Sequence, residues 1–207
     1  MLKVNDIFYS IQGESSYAGL PCIFVRLAGC NLRCIYCDTR DAYENGKSVS
    51  IREIIKRVRQ FVCPLVEITG GEPLLQSETP GLMEALLAQG FRVLLETNGS
   101  MDIDMVPKSV VRIMDMKCPD SGESERMDWN NLAKITMHDE VKFVISSHED
   151  FRWAADVTRE YSLSNKTKVI FSPVYGVLKE NELAQWILDD KLNVRFQIQL
   201  HKILSMK

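Results

Sequence analysis

Cys30, Cys34 and Cys37 lie in one short segment, Cys30-Asn31-Leu32-Arg33-Cys34-Ile35-Tyr36-Cys37, and Gly70-Gly71-Glu72-Pro73 follows about one strand-helix unit later. Nothing else in the chain restricts it as much. Thiolates are soft ligands suited to zinc or to iron-sulfur clusters, and a closed zinc site or a cubane ordinarily takes four protein ligands. The local run supplies three, with no further Cys or His at zinc-finger spacing on either side. Three thiolates on a cubane leave one iron open to a small molecule. The alternative is a zinc clip completed from afar by Cys22, Cys63, Cys118, His138, His148 or His201, which leaves the Gly-Gly-Glu-Pro run without a purpose.

Short apolar, β-branched runs alternate with amphipathic stretches. The alternation predicts strands at Ile23-Leu27, Val66-Thr69, Val93-Thr97, Arg112-Met116, Glu140-Ile145, Lys168-Phe171 and Arg195-Leu200. Helices are expected at Ile51-Phe61, Pro80-Gln89, His148-Tyr161 and Glu180-Asp189. Ser50 stands before the first as a cap, and Pro80 and Gly90 bracket the second in the expected start and stop order. Strands separated by helices pair in parallel, since a parallel neighbour needs a crossover of that length. Pro119 to Asn131 is polar and reads as a loop where a regular barrel would carry a helix. The expected fold is therefore α/β, an incomplete parallel β/α barrel.

With 207 residues, 45% of them hydrophobic, the chain can bury one substantial core, so a single domain over 1–207 is expected. Its 25 basic and 28 acidic side chains nearly cancel, which gives no nucleic-acid footprint. The polar start Met1-Leu2-Lys3-Val4-Asn5-Asp6 does not look like a signal peptide, and no apolar run reaches bilayer length, so no membrane partner is expected. Reduced, ligating cysteines require a reducing compartment, and six Cys in a chain this long do not form a disulfide framework; a cytoplasmic protein is expected. Cys22 and Cys63 have apolar and Pro neighbours and are expected to be small buried hydrophobes.

Unusual polar residues follow the apolar runs: Gly29-Cys30, Gly70-Gly71-Glu72-Pro73, Asn98-Gly99, Asp115-Met116-Lys117, Ser146-Ser147, Ser172-Pro173-Val174-Tyr175 and His201-Lys202. In parallel α/β folds such positions converge on the carboxyl edge of the sheet, where ligands bind. Turn chemistry alone accounts for some, Asn98-Gly99 and Ser146-Ser147 among them.

The cysteine spacing with Gly70 to Pro73 resembles the radical S-adenosylmethionine (SAM) superfamily. Ser10-Ile11-Gln12-Gly13-Glu14, Phe24-Val25-Arg26, Gly29-Cys30-Asn31-Leu32 and Cys37-Asp38-Thr39 narrow the likeness. So do Thr69-Gly70-Gly71-Glu72-Pro73, Glu96-Thr97-Asn98-Gly99, Asp115-Met116-Lys117-Cys118-Pro119 with Ser121-Gly122-Glu123, and Gln199-Leu200-His201-Lys202. Over essentially its whole length the chain is similar to the 7-carboxy-7-deazaguanine synthases, a radical SAM family of queuosine biosynthesis. The resemblance implies a truncated barrel, a homodimer, and conversion of 6-carboxy-5,6,7,8-tetrahydropterin to 7-carboxy-7-deazaguanine with loss of ammonia. It also implies a small reducing protein of the flavodoxin or ferredoxin type as electron donor.

By that resemblance Cys30, Cys34 and Cys37 hold a 4Fe-4S cluster, and SAM takes the fourth iron. Gly70 and Gly71 let backbone approach the methionine moiety, whose amine meets backbone and Glu72 oxygens. Tyr36, Cys37 and Asp38 line the adenine, while Asp115, Met116, Lys117, Ser172, Pro173, Val174 and Tyr175 contact the ribose and sulfonium side. The substrate is a planar bicycle with an amide and a carboxylate, which needs fixed donors and acceptors plus a cation. Ile11, Gln12, Gly13, Glu14, Arg26, Thr69 and His201 are its candidate site, with Glu14, Arg26 and His201 in the catalytic roles. Glu14 can accept paired N–H bonds from a guanidine-like edge, and Arg26 can pair with the carboxylate. Thr39 is the implied Mg2+ ligand, whereas residue chemistry alone would choose Asp38. The chain departs from the family in ending Ser205-Met206-Lys207 rather than near a Pro, and the carboxyl terminus of Lys207 has the reach to fold toward the substrate. Two rivals stand beside this assignment: a small activase that acts on a protein partner, and a non-catalytic zinc-binding module.

Overall fold

The computed structural model describes residues 1–207. All nine strands join one sheet in the order β3-β1-β2-β4-β5-β6-β7-β8-β9, which is open because β3 and β9 are its two edges. β2 (Pro21–Leu27), β4 (Leu65–Gly70), β5 (Arg92–Thr97), β6 (Val111–Met116), β7 (Glu140–Ile145), β8 (Lys168–Pro173) and β9 (Arg195–Phe196) run in parallel. These are the seven strands expected from the apolar runs. β1 (Leu2–Ile11) and β3 (Lys47–Val49) add an antiparallel extension on the β2 side.

β1 is hard to read as a strand because the alternation Leu2-Lys3-Val4-Asn5 is broken at Asp6, where the register shifts, and the apolar run Ile7-Phe8-Tyr9 follows without alternation. β9 is shorter than expected. Its last rung is Gln197 N–H to Phe171 O at 2.9 Å, after which Leu200 N–H bonds Gly13 O at 2.9 Å and the chain turns into the short helix α7 (Leu200–Ile203).

Helices α1 (Ile51–Val58), α2 (Thr79–Ala88), α4 (His148–Glu160) and α6 (Glu180–Asp189) fill the expected crossovers, with one-turn helices α3 (Asn131–Lys134) and α5 (Leu163–Lys166) between them. Ser50 caps α1 by accepting from Glu53 N–H at 3.2 Å, and Ser147 caps α4 from Asp150 N–H at 3.2 Å. α2 closes at Gly90, where Phe91 N–H reaches back to Leu86 O at 3.2 Å. The segment after β6 carries short 3-10 turns at Pro119–Ser121 and Ser124–Arg126 and, in Asn131–Lys134, only one helical turn.

The strands are buried on the helix-covered side by residues such as Ile23, Val66, Val93, Val141 and Val169. No helix is long and apolar enough to cross a membrane. On the other side of the pleat, β2 presents Phe24 and Arg26, β4 Glu67 and Thr69, β5 Glu96, β6 Asp115 and β7 Lys142, all around one cavity.

Candidate active site

The cavity holds about 290 Å3 and opens at the carboxyl edge of the parallel strands. Cys30, Cys34 and Cys37 form one end of it. Gln12, Glu14, Arg26, Thr69, Lys142 and His201 form the other.

The cysteine loop is held from two directions. Ile35 N–H bonds Ser121 O at 3.0 Å, Arg33 N–H bonds Glu123 Oε1 at 2.6 Å, and the Arg126 guanidinium donates to Asn31 O at 3.2 Å. The polar Pro119–Asn131 loop is therefore the brace of the cysteine loop. Arg33 itself donates to Cys30 O and Leu32 O and lies 4.4 Å over the Tyr43 ring. From the other side Glu72 N–H bonds Gly29 O at 2.8 Å. A Cβ on Gly71 would overlap Gly29 O and sit 2.7 Å from Cys30 Cβ, so that position admits glycine alone. The Gly-Gly pair thus serves the approach of two backbone turns to each other, in addition to lining the cavity.

Glu72 differs from expectation. Its carboxylate is fully buried and accepts from Leu74 N–H (2.9 Å), Thr97 Oγ1 (2.9 Å) and Asn98 N–H (2.6 Å), so its oxygens are turned from the cavity and clamp the Gly-Gly-Glu-Pro turn to β5. Burial raises it to about 7. Burial also pushes the Cys34 thiol up to about 11 and Cys30 upward, so loading of a metal group must displace protons from them.

At the opposite end Lys142, 3% exposed, is the centre of a charge cluster. Its ammonium donates to Glu14 Oε2 and to Glu96 Oε1 (2.6 Å), with Asp115 Oδ2 at 3.4 Å. Burial alone would pull Lys142 down, but the three carboxylates outweigh it and hold it well above its ordinary value. Glu14 is likewise opposed by burial and yet lowered by Lys142 and by Gln199, whose Nε2 donates to Glu14 Oε1 at 2.6 Å. Burial and the neighbouring Glu96 push Glu67 well above the carboxylate range, and Gln12 Nε2 donates to it. A Cβ on Gly13 would fall within the His201 ring, so Gly13 makes the room that histidine occupies. Arg26 lies 5.4 Å over Phe8, and its buried Nε has no partner; Asp115 Oδ1 is likewise buried and unpaired.

Of the residues given roles from sequence, all but Glu72, Met116, Ser172 and Pro173 line the cavity. Met116 and Pro173 are buried behind it, and Ser172 Oγ donates to Gln197 O at 2.9 Å. Asp38 is held down to about 2: burial opposes this, but Lys202 at 2.5 Å and Thr39 Oγ1 at 2.8 Å prevail. Lys207 reaches the cavity mouth, where its ammonium pairs with Asp6 and lies 5.1 Å from the Phe8 ring. Lys142, Glu67 and Glu96 carry no role in the sequence reading, and neither does Gln199, although Glu96 and Gln199 stand in runs that carry the family likeness. Each of the first three is a charged residue inside an apolar strand run, Val-Lys-Phe, Val-Glu-Ile and Leu-Glu-Thr, a pattern that demands a buried partner and was readable as such.

Residues 25–183 match the Radical SAM superfamily. A 7-carboxy-7-deazaguanine synthase of Chlorobaculum tepidum is 47% identical over 209 residues, covering 98% of this chain and 94% of that protein. One from Koribacter versatilis is 44% identical, covering 98% and 96%. This chain belongs to the 7-carboxy-7-deazaguanine synthase family of radical SAM enzymes. The fold agrees: a crystal structure of QueE from Escherichia coli superposes with a TM-score of 0.79 at 20% identity, covering 97% of this chain and 94% of that one.

Family membership brings a 4Fe-4S cluster and SAM, and the residues fit both. All six cysteines are free, and the three in the loop share one cavity. Their soft thiolates, with no fourth protein ligand in the loop, are the donor set of a cubane with one open iron. Of the distant fourth zinc ligands considered, only His201 reaches the cavity. For SAM, the unpaired Asp115 Oδ1 and the Tyr36 ring, whose hydroxyl donates to Val144 O at 3.1 Å, stand on the cysteine side.

Proposed function

We propose that this chain converts 6-carboxy-5,6,7,8-tetrahydropterin to 7-carboxy-7-deazaguanine with release of ammonia, as a single radical SAM domain of residues 1–207. The observation that carries it is the convergence of Cys30, Cys34 and Cys37 with Glu14, Arg26, Thr69 and His201 on one cavity of about 290 Å3. When bound, the cluster and SAM supply reductive cleavage of the sulfonium and removal of hydrogen from the carboxylate-bearing carbon.

The protein's share is placement and exclusion of water. Glu14 accepts the paired N–H groups of the pterin's guanidine-like edge, and Lys142 and Gln199 fix its two oxygens. Arg26 offers its partnerless Nε–H to the substrate carboxylate, held at that angle by the Phe8 face. His201 and Thr69 close the remaining edges, Thr69 through its bond to Glu96 at 3.0 Å. Asp115 Oδ1 takes a donor of the cosubstrate ribose, and Gly71 exposes backbone to its methionine end. Thr39, on the cavity wall, would hold Mg2+ through its hydroxyl oxygen, since Asp38 is engaged by Lys202.

This assignment carries a homodimer, a cytoplasmic setting and a flavodoxin- or ferredoxin-type reductant. A small-molecule pocket also favours it over the activase, which needs an open surface for a protein substrate. The test is anaerobic: the protein is reconstituted with iron and sulfide, reduced, and incubated with SAM, Mg2+ and the pterin. A product lighter than the substrate by ammonia is expected by mass analysis. A colourless one-zinc protein, or SAM cleavage with the pterin intact, would contradict it.

A further inference from the structure

Lys142 is buried, unmentioned by any motif of the chain, and the only cation paired with two cavity carboxylates, Glu14 and Glu96. Asp115 shares it more distantly, at 3.4 Å, and has Lys117 of its own at 2.9 Å. Glu14 meets Lys142 from β7 and Gln199 and lies near His201 from α7 and Glu67 from β4; Glu96 from β5 and Asp115 from β6 share Lys142, and Arg26 from β2 and Lys117 after β6 are the other charged groups of that part of the cavity. Lys142 is the ion-pair partner of both Glu14 and Glu96, whose side chains are largely out of water. Remove the ammonium and the wall must either repel itself or take up protons.

We infer that Lys142 is a positioning residue for the pterin: it keeps Glu14 ionised and fixed so that both carboxylate oxygens can receive the substrate's paired N–H groups. This rests on the assignment of Glu14 to the pterin made above. A protonated Glu14 presents a hydroxyl where an acceptor is needed, and the donor edge of the substrate then meets a donor. The asymmetry of the contacts makes the inference specific. Loss of Lys142 leaves Glu14 and Glu96 without an ion-pair partner, whereas Asp115, on the SAM side, retains Lys117. The pterin half of the cavity must suffer and the SAM half must not.

The experiment compares reconstituted wild type, Lys142→Met and Lys142→Arg for pterin kcat and KM across pH, with SAM affinity measured separately by titration of the unreduced holoprotein. Lys142→Met is expected to raise the pterin KM at neutral pH by about tenfold or more. Its acid limb in kcat/KM moves upward, because burial of Glu14 is then opposed by Gln199 and His201 without the ammonium, and activity recovers as pH rises. SAM affinity stays within about threefold, and Lys142→Arg, which keeps the charge, returns the acid limb to its wild-type position. An unchanged pterin KM and limb in Lys142→Met, or a SAM affinity that falls as far as the pterin's, overturns the inference. Should Lys142→Met not fold, Lys142→Arg carries the test alone: a limb in the wild-type position with SAM affinity retained supports it, and a limb moved upward overturns it. A wild type that neither binds nor converts the pterin overturns the parent assignment instead, so the two failures are distinct.

Discussion

The two ends of the cavity are built by different physics. The cysteine end is a steric construction, in which Gly71 against Gly29 and the braces from Ser121, Glu123 and Arg126 fix backbone, and few charges take part. The pterin end is an electrostatic one: Arg26, Glu67, Glu96 and Lys142 rise from four parallel strands, Glu14 enters from the loop after β1, and Lys142 ties Glu14 to Glu96. A cubane needs three thiols at fixed separations and tolerates little else, whereas a small polar bicycle needs donors and acceptors in fixed protonation states. Substitutions at the first end should therefore be all-or-none in cluster loading, and those at the second graded in substrate affinity.

Gly71→Ala is the severest break of that contrast. With its Cβ overlapping Gly29 O, the loop cannot close around the cluster, and bound iron and deoxyadenosine production should fall by about a hundredfold, more than about 2.7 kcal/mol. Retained iron content in that variant would show that the loop is not sterically set. Next comes a buried pair outside both ends, Arg112 with Asp139 at 2.6 Å. Asp139→Asn should lower unfolding stability by about 2.5 kcal/mol in urea titrations with the cluster and turnover intact.

The same pair fixes a pH dependence. Burial opposes ionisation of Asp139, but Arg112 and Thr136 hold its pKa below the ordinary value. Its contribution is thus present above the unfolded carboxylate value of about 3.9 and is lost as pH falls through the lower folded value. Asp139→Asn should flatten that part of the acid limb of stability; an identical limb in both proteins would contradict it.

At the pterin end, Glu14→Gln should cost about 2 kcal/mol, read as a pterin KM raised roughly thirtyfold with iron content and reductive SAM cleavage unchanged. Smallest is Ser50→Ala, remote from the cavity, which should lower stability by about 1 kcal/mol through the lost α1 cap and leave KM untouched.

Legibility in the sequence followed the same division. The parallel strands stood out as short apolar, β-branched runs, and the first two helices because Ser50, Pro80 and Gly90 punctuate them. β1 escaped because the register shift at Asp6 breaks its period after only four residues. The cysteine end was readable as local spacing. The pterin end was readable only where a short motif carried it, as in Gln12-Gly13-Glu14, because Lys142 and Glu96 meet only through the pairing of strands far apart in sequence. Glu72 misled for the opposite reason: its place in a motif suggested a ligand contact, while three donors from the β4 and β5 ends consume its oxygens.

The central claim is that cysteine loop and polar wall serve one reaction in one cavity. Pterin carrying deuterium on its carboxylate-bearing carbon tests it directly, with the label followed during turnover by the reduced holoprotein. Deuterium should appear at the 5′-carbon of deoxyadenosine or of recovered SAM, alongside the deazaguanine product. Reductive cleavage of SAM that proceeds with the label left entirely in unreacted pterin would contradict the account.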